Sequence, residues 1–429
     1  YLMGLSIGVH LLNLLAIPAI VMVYYFRKYK VTRRGVLLAL ALSVVLLGVM
    51  MYGIIHGFVK FATLFELAFV NGFGLPYHSG LAFYLILIIT LIIWGIRYTF
   101  RKRLVVWNTI ITAIAVILVG YSSYTMLVIR SNADPPMDEN DPENVFSLLS
   151  FLNREQYGDR PLLTGQYYNA PIEAVEEGKA IYIPKNGRYE VSYRKPDIEF
   201  DERFITFFPR MYSRESRHIR EYKKWADIDG TPVRTTNRRG EPETVYKPTF
   251  GENLKFFFTY QIGFMYMRYF MWNFAGRQND EQGHGGILKG NWITGISFLD
   301  SPRLGNQKNL PDSMKNDESR NVYYMLPLLL GIIGLLYHSS KQNKDFWVVM
   351  LLFLLTGIAI LVYLNQTPLQ PRERDYAYAG SFYAFAIWIG LGVLATYEAL
   401  KKKIPDVVSA VTVTAVLLLL VPGLLAKEN

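Results

Sequence analysis

The sequence predicts an α-helical multi-pass membrane protein of about eight spans, with an α+β domain inserted between the fourth and fifth. Three observations carry this expectation. Of 429 residues, 51% are hydrophobic and only 19% are charged, against roughly 25% charged in an average soluble domain. The apolar residues gather in runs of about 18 or more, the length that crosses a bilayer. Lys and Arg concentrate in short loops at alternate junctions, as they do on the cytoplasmic side of membrane proteins.

Spans are expected near 2–26, 35–58, 80–98, 104–127, 321–338, 346–364, 380–400 and 406–425. The loops RKYKVTRR, RYTFRKR, SSKQNKD and KKK follow the first, third, fifth and seventh. The positive-inside rule places these four in the cytoplasm and the intervening connections outside. The net charge of +10 is then a property of loops facing the cytoplasm, and no nucleic-acid partner is expected. Cysteine is absent, which excludes disulfides and thiolate metal sites. The chain opens on YLMGLSIGVHLLNLLAIPAI, already in an apolar run and without an initiator Met, and ends just past another. It reads as the middle of a longer protein.

Three domains follow: helices 1–127, an extracytoplasmic segment 128–320, and helices 321–429. The first outer loop, 59–79, is too apolar to be solvated and too interrupted by Gly and Pro to span, so a short interfacial helix is expected. The segment 128–320 opens on a Pro/Asp/Asn linker ending in a helix cap before FSLLSFLNREQYG. KAIYIP, YEVSYR and FITFFP read as strands, the first two joined by an Asn-Gly hairpin turn. The aromatic stretch 253–276 holds Lys255 and Arg268 and is expected to lie on the outer leaflet. A crossing there would invert the later basic loops.

Candidate chemistry centres on TPLQPRERDYAYAGSF, which joins the sixth and seventh spans on the outer face. Arg372 and Arg374 stay charged and offer planar forks of donors that match phosphate. Glu373 and Asp375 can orient them or hold a metal, and Tyr376 adjoins them. The alternative is a solvated turn closed by internal salt bridges, each worth about 0–1 kcal/mol. His10 lies in an apolar helix with Asn13 one turn on, and both are expected to face the bundle interior. His56 and His78 fall near the same face, but no HxxxH spacing supports a His-ligated metal. The loop WNFAGRQNDEQGHGG groups Trp272, Arg277, Asn279, Asp280, Glu281 and His284. It reads either as a sugar-binding loop or as a solvated connection. Glu66, an acid in an apolar stretch, is a raised-pKa acid or, slightly favoured, a snorkelling residue. No Walker loop, GxSxG or HExxH occurs.

GLSIGVHLLNLLAIPAI, RSNADPPMDENDPENVFSLLSFLNREQYGDRPLL, MWNFAGRQNDEQG and QTPLQPRERDYAYAGSF together resemble the large bacterial membrane proteins of domain of unknown function 2723. That family is similar to the animal transmembrane protein O-mannosyltransferase, a C-type glycosyltransferase. The resemblance implies an inner-membrane enzyme that moves a sugar, mannose for example, from a polyprenyl-phosphate donor to Ser or Thr of an envelope protein on the periplasmic side. C-type enzymes usually place a catalytic acid in the first outer loop. In this family that loop lies upstream, so no residue of this chain is matched to the acid. His10 matches the family's Gly-Leu-Ser…His pattern, and Arg372 and Arg374 match its Arg-Glu-Arg-Asp-Tyr pattern. Two other readings stay open: a transporter or flippase of lipid-linked sugars, and a non-catalytic scaffold of an envelope complex.

Overall fold

The computed structural model describes residues 1–138, 140–158, 160–236 and 240–428. Among them, six helices are long and apolar enough to cross a membrane: Leu11–Lys28, Arg33–Gly72, Ser79–Arg101, Val105–Ser131, Asn343–Leu364 and Asp375–Leu400. Two more apolar helices, Leu326–Lys341 and Asp406–Glu428, take the places of the expected fifth and eighth spans. The fifth starts later than expected because Asn321–Val322 pairs as a strand with Gly276–Arg277. The chain divides into two compact units. One comprises Tyr1–Ile17, Leu37–Asp159 and Ile172–Asp201; the other comprises Pro18–Val36, Arg160–Pro171 and Glu202–Asn429. The segment 128–320 therefore contributes to both.

In the first unit the expected first span is not one helix. Leu2–Val9 stops at His10, whose backbone is extended (φ −161°, ψ 120°), and a 3-10 turn Leu11–Ala16 follows. Leu2–Val9 runs parallel to Val105–Tyr121 at very close range. A Cβ on Gly4 would meet the Ile117 carbonyl, one on Gly8 would meet Ser123, and Tyr124 Oη donates to the Ile7 carbonyl at 3.3 Å. Glycines at such crossings let backbones approach.

The expected interfacial helix at 59–79 is also revised. Arg33–Gly72 is a single 40-residue helix, about 60 Å long at 1.5 Å per residue, twice the ~30 Å hydrocarbon thickness. It includes π-helical windows at Val49–Gly57 and Ala68–Gly72. No proline interrupts it, and its far end buries Val59, Ala62, Thr63 and Glu66, so tertiary packing carries it past the point where hydropathy alone suggests a stop. The hairpin Ile172–Lys185/Arg188–Phe200 matches expectation. Asn186 and Gly187, with φ of 52° and 80°, form its two-residue turn, the geometry that suits paired strands. The expected helix cap before Val145–Leu152 is Asn144, which forms a capping box with Ser147.

In the second unit the stretch 250–274 is continuous helix, with its middle, Phe257–Met267, in π geometry. Most of its circumference is covered, with Lys255, Phe258, Thr259, Gly263 and Met267 left as an exposed stripe. Phe256, Tyr260, Tyr266, Tyr269, Phe270, Trp272 and Phe274 are all buried. Phe270 and Phe274 share a core with Leu328, Phe346, Phe385 and Trp388. Leu326–Lys341 meets Ala379–Leu400 through Gly331, Gly334 and Gly392, where an added Cβ would strike Phe385 or backbone. Trp388 Nε1 donates to His338 Nδ1 at 3.2 Å inside this contact. The third expected strand, Ile205–Phe207, pairs with Thr164–Gln166 rather than with the hairpin.

Candidate functional site

The junction 365–378 connects Asn343–Leu364 to Ala379–Leu400, at the end opposite Lys341, Lys344 and Lys401–Lys403. It is built from its start. Asn365 ends the first helix in a left-handed conformation (φ 38°) and is fully buried. Its amide donates to the Pro161 and Pro209 carbonyls at 2.8 and 2.9 Å, its side-chain oxygen accepts from Gln261, and its backbone carbonyl accepts from Tyr212. Two arginines finish the helix end. Arg210 Nη1 donates to the Val362 carbonyl at 3.0 Å and Arg160 Nη1 to the Leu364 carbonyl at 3.1 Å, placing cations at the negative pole of the helix. Arg210 is fully buried against Phe208. Burial pushes its pKa down to about 10, which leaves it charged at neutral pH. Asn at the close of an apolar run is a readable cap signal. Nothing in FFPRMYS announces Arg210.

Glu373 turns inward, away from its arginine neighbours. Arg268 grips it with two bonds, Nη1–Oε1 at 3.1 Å and Nη2–Oε2 at 2.7 Å. The Gly283 N–H donates to it at 3.0 Å, and the Tyr269 hydroxyl donates as well. Arg268 is 3% exposed and stacks on Phe264, Tyr269 and Trp272. Burial raises the Glu373 pKa, but the Arg268 pair and the other donors prevail and hold the carboxyl below its ordinary range. Two stretches singled out in the sequence thus converge, since Gly283 belongs to the loop 272–286 and Glu373 to the junction; Arg268 also donates to the Gly290 carbonyl at 2.7 Å.

The loop after Arg277 is ordered rather than a loose solvated connection. Gln278 and Asn279 are buried and bonded to loop backbone at Ile287, Leu288 and Gly290. Arg277 Nε donates to the Ser319 carbonyl at 3.0 Å, Glu281 pairs with Lys289 at 2.7 Å, and the Asp280 side chain is exposed.

With Glu373 committed to Arg268, neither Arg372 nor Arg374 has an ion pair among the described residues. Arg372 is exposed, with Tyr376 at 5.9 Å from its guanidinium. Arg374 is half-buried. Its backbone N–H donates to the Tyr269 hydroxyl at 3.1 Å, while its Nε is buried without a partner among the described residues. The turn closed by internal salt bridges is therefore not what forms. Asp375 opens the 3-10 turn Asp375–Tyr378. Among the described residues, no three His, Asp or Glu side chains gather as metal ligands.

Glu66 and His10 belong to the first unit. Glu66 is fully buried, which corrects the expectation of a snorkelling side chain. Its carboxylate accepts from the His78 and Leu81 N–H groups at 2.6 and 2.9 Å and from Tyr189 Oη at 3.1 Å. It caps the start of helix Ser79–Arg101 from a distant position, where the helix dipole favours an anion. Asn71 exchanges two hydrogen bonds with the Tyr189 backbone, and Tyr77 Oη donates to the Arg188 carbonyl. The hairpin tip is thereby fastened to the helix end.

His10 and Asn13 are exposed, not turned into the unit. They serve the helix break, with His10 Nδ1 accepting from Leu12 N–H at 3.3 Å and Asn13 Nδ2 reaching the Ser6 carbonyl at 3.5 Å. Arg154 lies near enough to act on the His10 ring. His56 sets its ring nitrogens against the Met51 and Leu152 carbonyls. A cavity of about 700 Å³ is lined by residues of helices Ser79–Arg101 and Val105–Ser131, among them Leu85, Ile88 and Ile92, together with His78, Asn132 and Glu143. Its walls suit a hydrocarbon chain.

Residues 1–33 match the family described as protein O-mannosyl-transferase TMEM260 N-terminal domain, and residues 158–258 match a family of unknown function, DUF8416. No match to domain of unknown function 2723 accompanies them. No curated protein matches the chain, and no solved structure does. His10 falls inside the first match; Arg372 and Arg374 lie outside both.

Proposed function

We propose that this chain is the core of a membrane glycosyltransferase that takes a sugar from a polyprenyl-phosphate donor and delivers it to Ser or Thr of an envelope protein on the outer side of the membrane. The observation that carries the reading is the pair of unpartnered cations at 372 and 374, left free because Glu373 is held by Arg268. With the basic loops taken as cytoplasmic, both arginines stand at the outer headgroup level, where a lipid phosphate resides. Transfer from a phosphate builds negative charge on the leaving group, and fixed guanidinium donors stabilise that charge. The match of residues 1–33 to the TMEM260 N-terminal domain supports the same chemistry. His10 is a further candidate contact for the donor. Asn13, Arg277, Asp280, Glu281, Asp375 and Tyr376 are weaker ones.

The test reconstitutes the protein in liposomes with labelled polyprenyl-phosphate mannose and envelope proteins as acceptors. Wild type is compared with Arg372→Ala and Arg374→Ala, each verified as folded and inserted. Label is expected to reach protein and to fall at least tenfold in either variant. Transfer untouched by both substitutions removes the phosphate site and leaves the enzyme. A second reading, a flippase of lipid-linked sugar, is favoured by the extended break at His10, since transporters bind at interrupted helices. It predicts label crossing the bilayer without reaching protein.

A further inference from the structure

Among the described residues, two donors in the junction have nothing to donate to. Tyr378 is fully buried and its hydroxyl makes no hydrogen bond; the buried Nε of Arg374 is equally without a partner. Buried polar groups are almost always satisfied, so each exception calls for a cause. Packing does not supply one. The Tyr378 ring lies edge-on to Tyr266 at 5.3 Å and beside Tyr269 at 6.2 Å, contacts that a phenyl ring makes equally well. Its neighbours do use their hydroxyls: Tyr266 bonds Ser381 Oγ at 2.6 Å, and Tyr269 joins Glu373 and Arg374.

Arg374 stands four residues before Tyr378, and Tyr269 adjoins both: its hydroxyl accepts the Arg374 N–H at 3.1 Å and its ring lies 6.2 Å from the Tyr378 ring. The 3-10 turn Asp375–Tyr378 runs straight into the 22-residue helix Ala379–Leu400, so this turn stands at the positive pole of the combined helix. Two free donors, one of them on a guanidinium cation, and a helix N-terminus all ask for an oxygen that carries negative charge.

We propose that the Tyr378 hydroxyl and the Arg374 Nε–H receive a phosphate-ester oxyanion, which makes Tyr378 a binding residue of the donor site. The proposal rests on the reading of Arg372 and Arg374 as phosphate-binding. It also explains why a tyrosine stands where phenylalanine would pack as well and strand no hydroxyl.

The test measures binding and thermal stability of the whole chain in detergent, comparing wild type, Tyr378→Phe and Arg374→Ala. The probes are a polyprenyl monophosphate, the matching polyprenol and inorganic phosphate. Tyr378→Phe is expected to melt at or above the wild-type temperature without ligand, because no hydrogen bond is lost. Its affinity for polyprenyl monophosphate is expected to fall about tenfold, with polyprenol binding unchanged. The same loss with inorganic phosphate supports the oxyanion site and identifies free phosphate as sufficient; loss with the lipid alone supports it and assigns the headgroup. If Tyr378→Phe binds as wild type while Arg374→Ala does not, the inference on Tyr378 is overturned and the arginine site survives. A variant that melts well below wild type overturns it too, since the hydroxyl then has a structural partner. Wild type that binds neither phosphate probe removes the phosphate reading itself.

Discussion

Glu373 and Arg268 sit 105 positions apart in the chain, yet their pairing decides how the whole junction is displayed. Arg268 is 3% exposed and Glu373 13%, so removing one partner strands a buried charge, at a cost of about 3–5 kcal/mol. Glu373→Ala should therefore destabilise the protein by that order in denaturant melts. The double change Arg268→Met with Glu373→Leu should cost less than either single change. The pH dependence has a definite sign. The folded pKa of Glu373 is depressed, so its stabilisation is complete above the unfolded carboxylate value of ~4.3. It is lost as pH falls through the lower folded value. Melting temperatures from pH 7 down to pH 3 should fall more steeply for wild type than for Glu373→Gln. Equal slopes would show that other carboxylates govern acid lability.

Helices and turns differ in how openly the chain announces them. The Asn186-Gly187 hairpin and the Asn144 cap were readable because turn and cap chemistry is local. The full length of Arg33–Gly72 was not, because burial of Glu66, Thr63 and Ala62 against the next helix extends it beyond its apolar run. Nor was the break at His10, which is flanked by Val9 and Leu11 in a mostly apolar run, with Gly8 and Pro18 as the nearest breakers. Helix pairing is set by small residues whose role shows only in the fold. A Cβ on Gly334 would sit 1.8 Å from the Trp388 carbonyl, whereas Gly390 has nothing within 4 Å of that position. Gly334→Leu should abolish folded, monodisperse protein and Gly390→Leu should not, as judged by size-exclusion yield in detergent. Glu66→Ala removes the acceptor of two N–H groups at the start of Ser79–Arg101 and should cost about 1–3 kcal/mol. Tyr189→Phe, which deletes one donor to the same carboxylate, should cost less.

At the scale of the molecule, class was visible and connectivity was not. Composition and apolar runs announce a membrane protein. The segment 128–320, which reads as one insert, instead divides between two units because its pieces pair with different helices. The arginines at 372 and 374 were visible as charges between spans, but the partner that leaves them unpaired lies in a distant aromatic helix. Sidedness rests on the basic loops alone, and the absence of cysteine makes it directly measurable. Single cysteines at exposed Asn186 and Glu281 should react with a membrane-impermeant maleimide in intact cells once any outer barrier is opened. Cysteines at exposed Lys102 and Lys402 should react only after the membrane holding the protein is permeabilised. Neither result depends on activity. Labelling of Glu281 and Lys402 from the same side would put the 365–378 junction and the basic loops in one compartment. Transfer from an outward-facing lipid phosphate would then be untenable, whatever Arg372 and Arg374 bind.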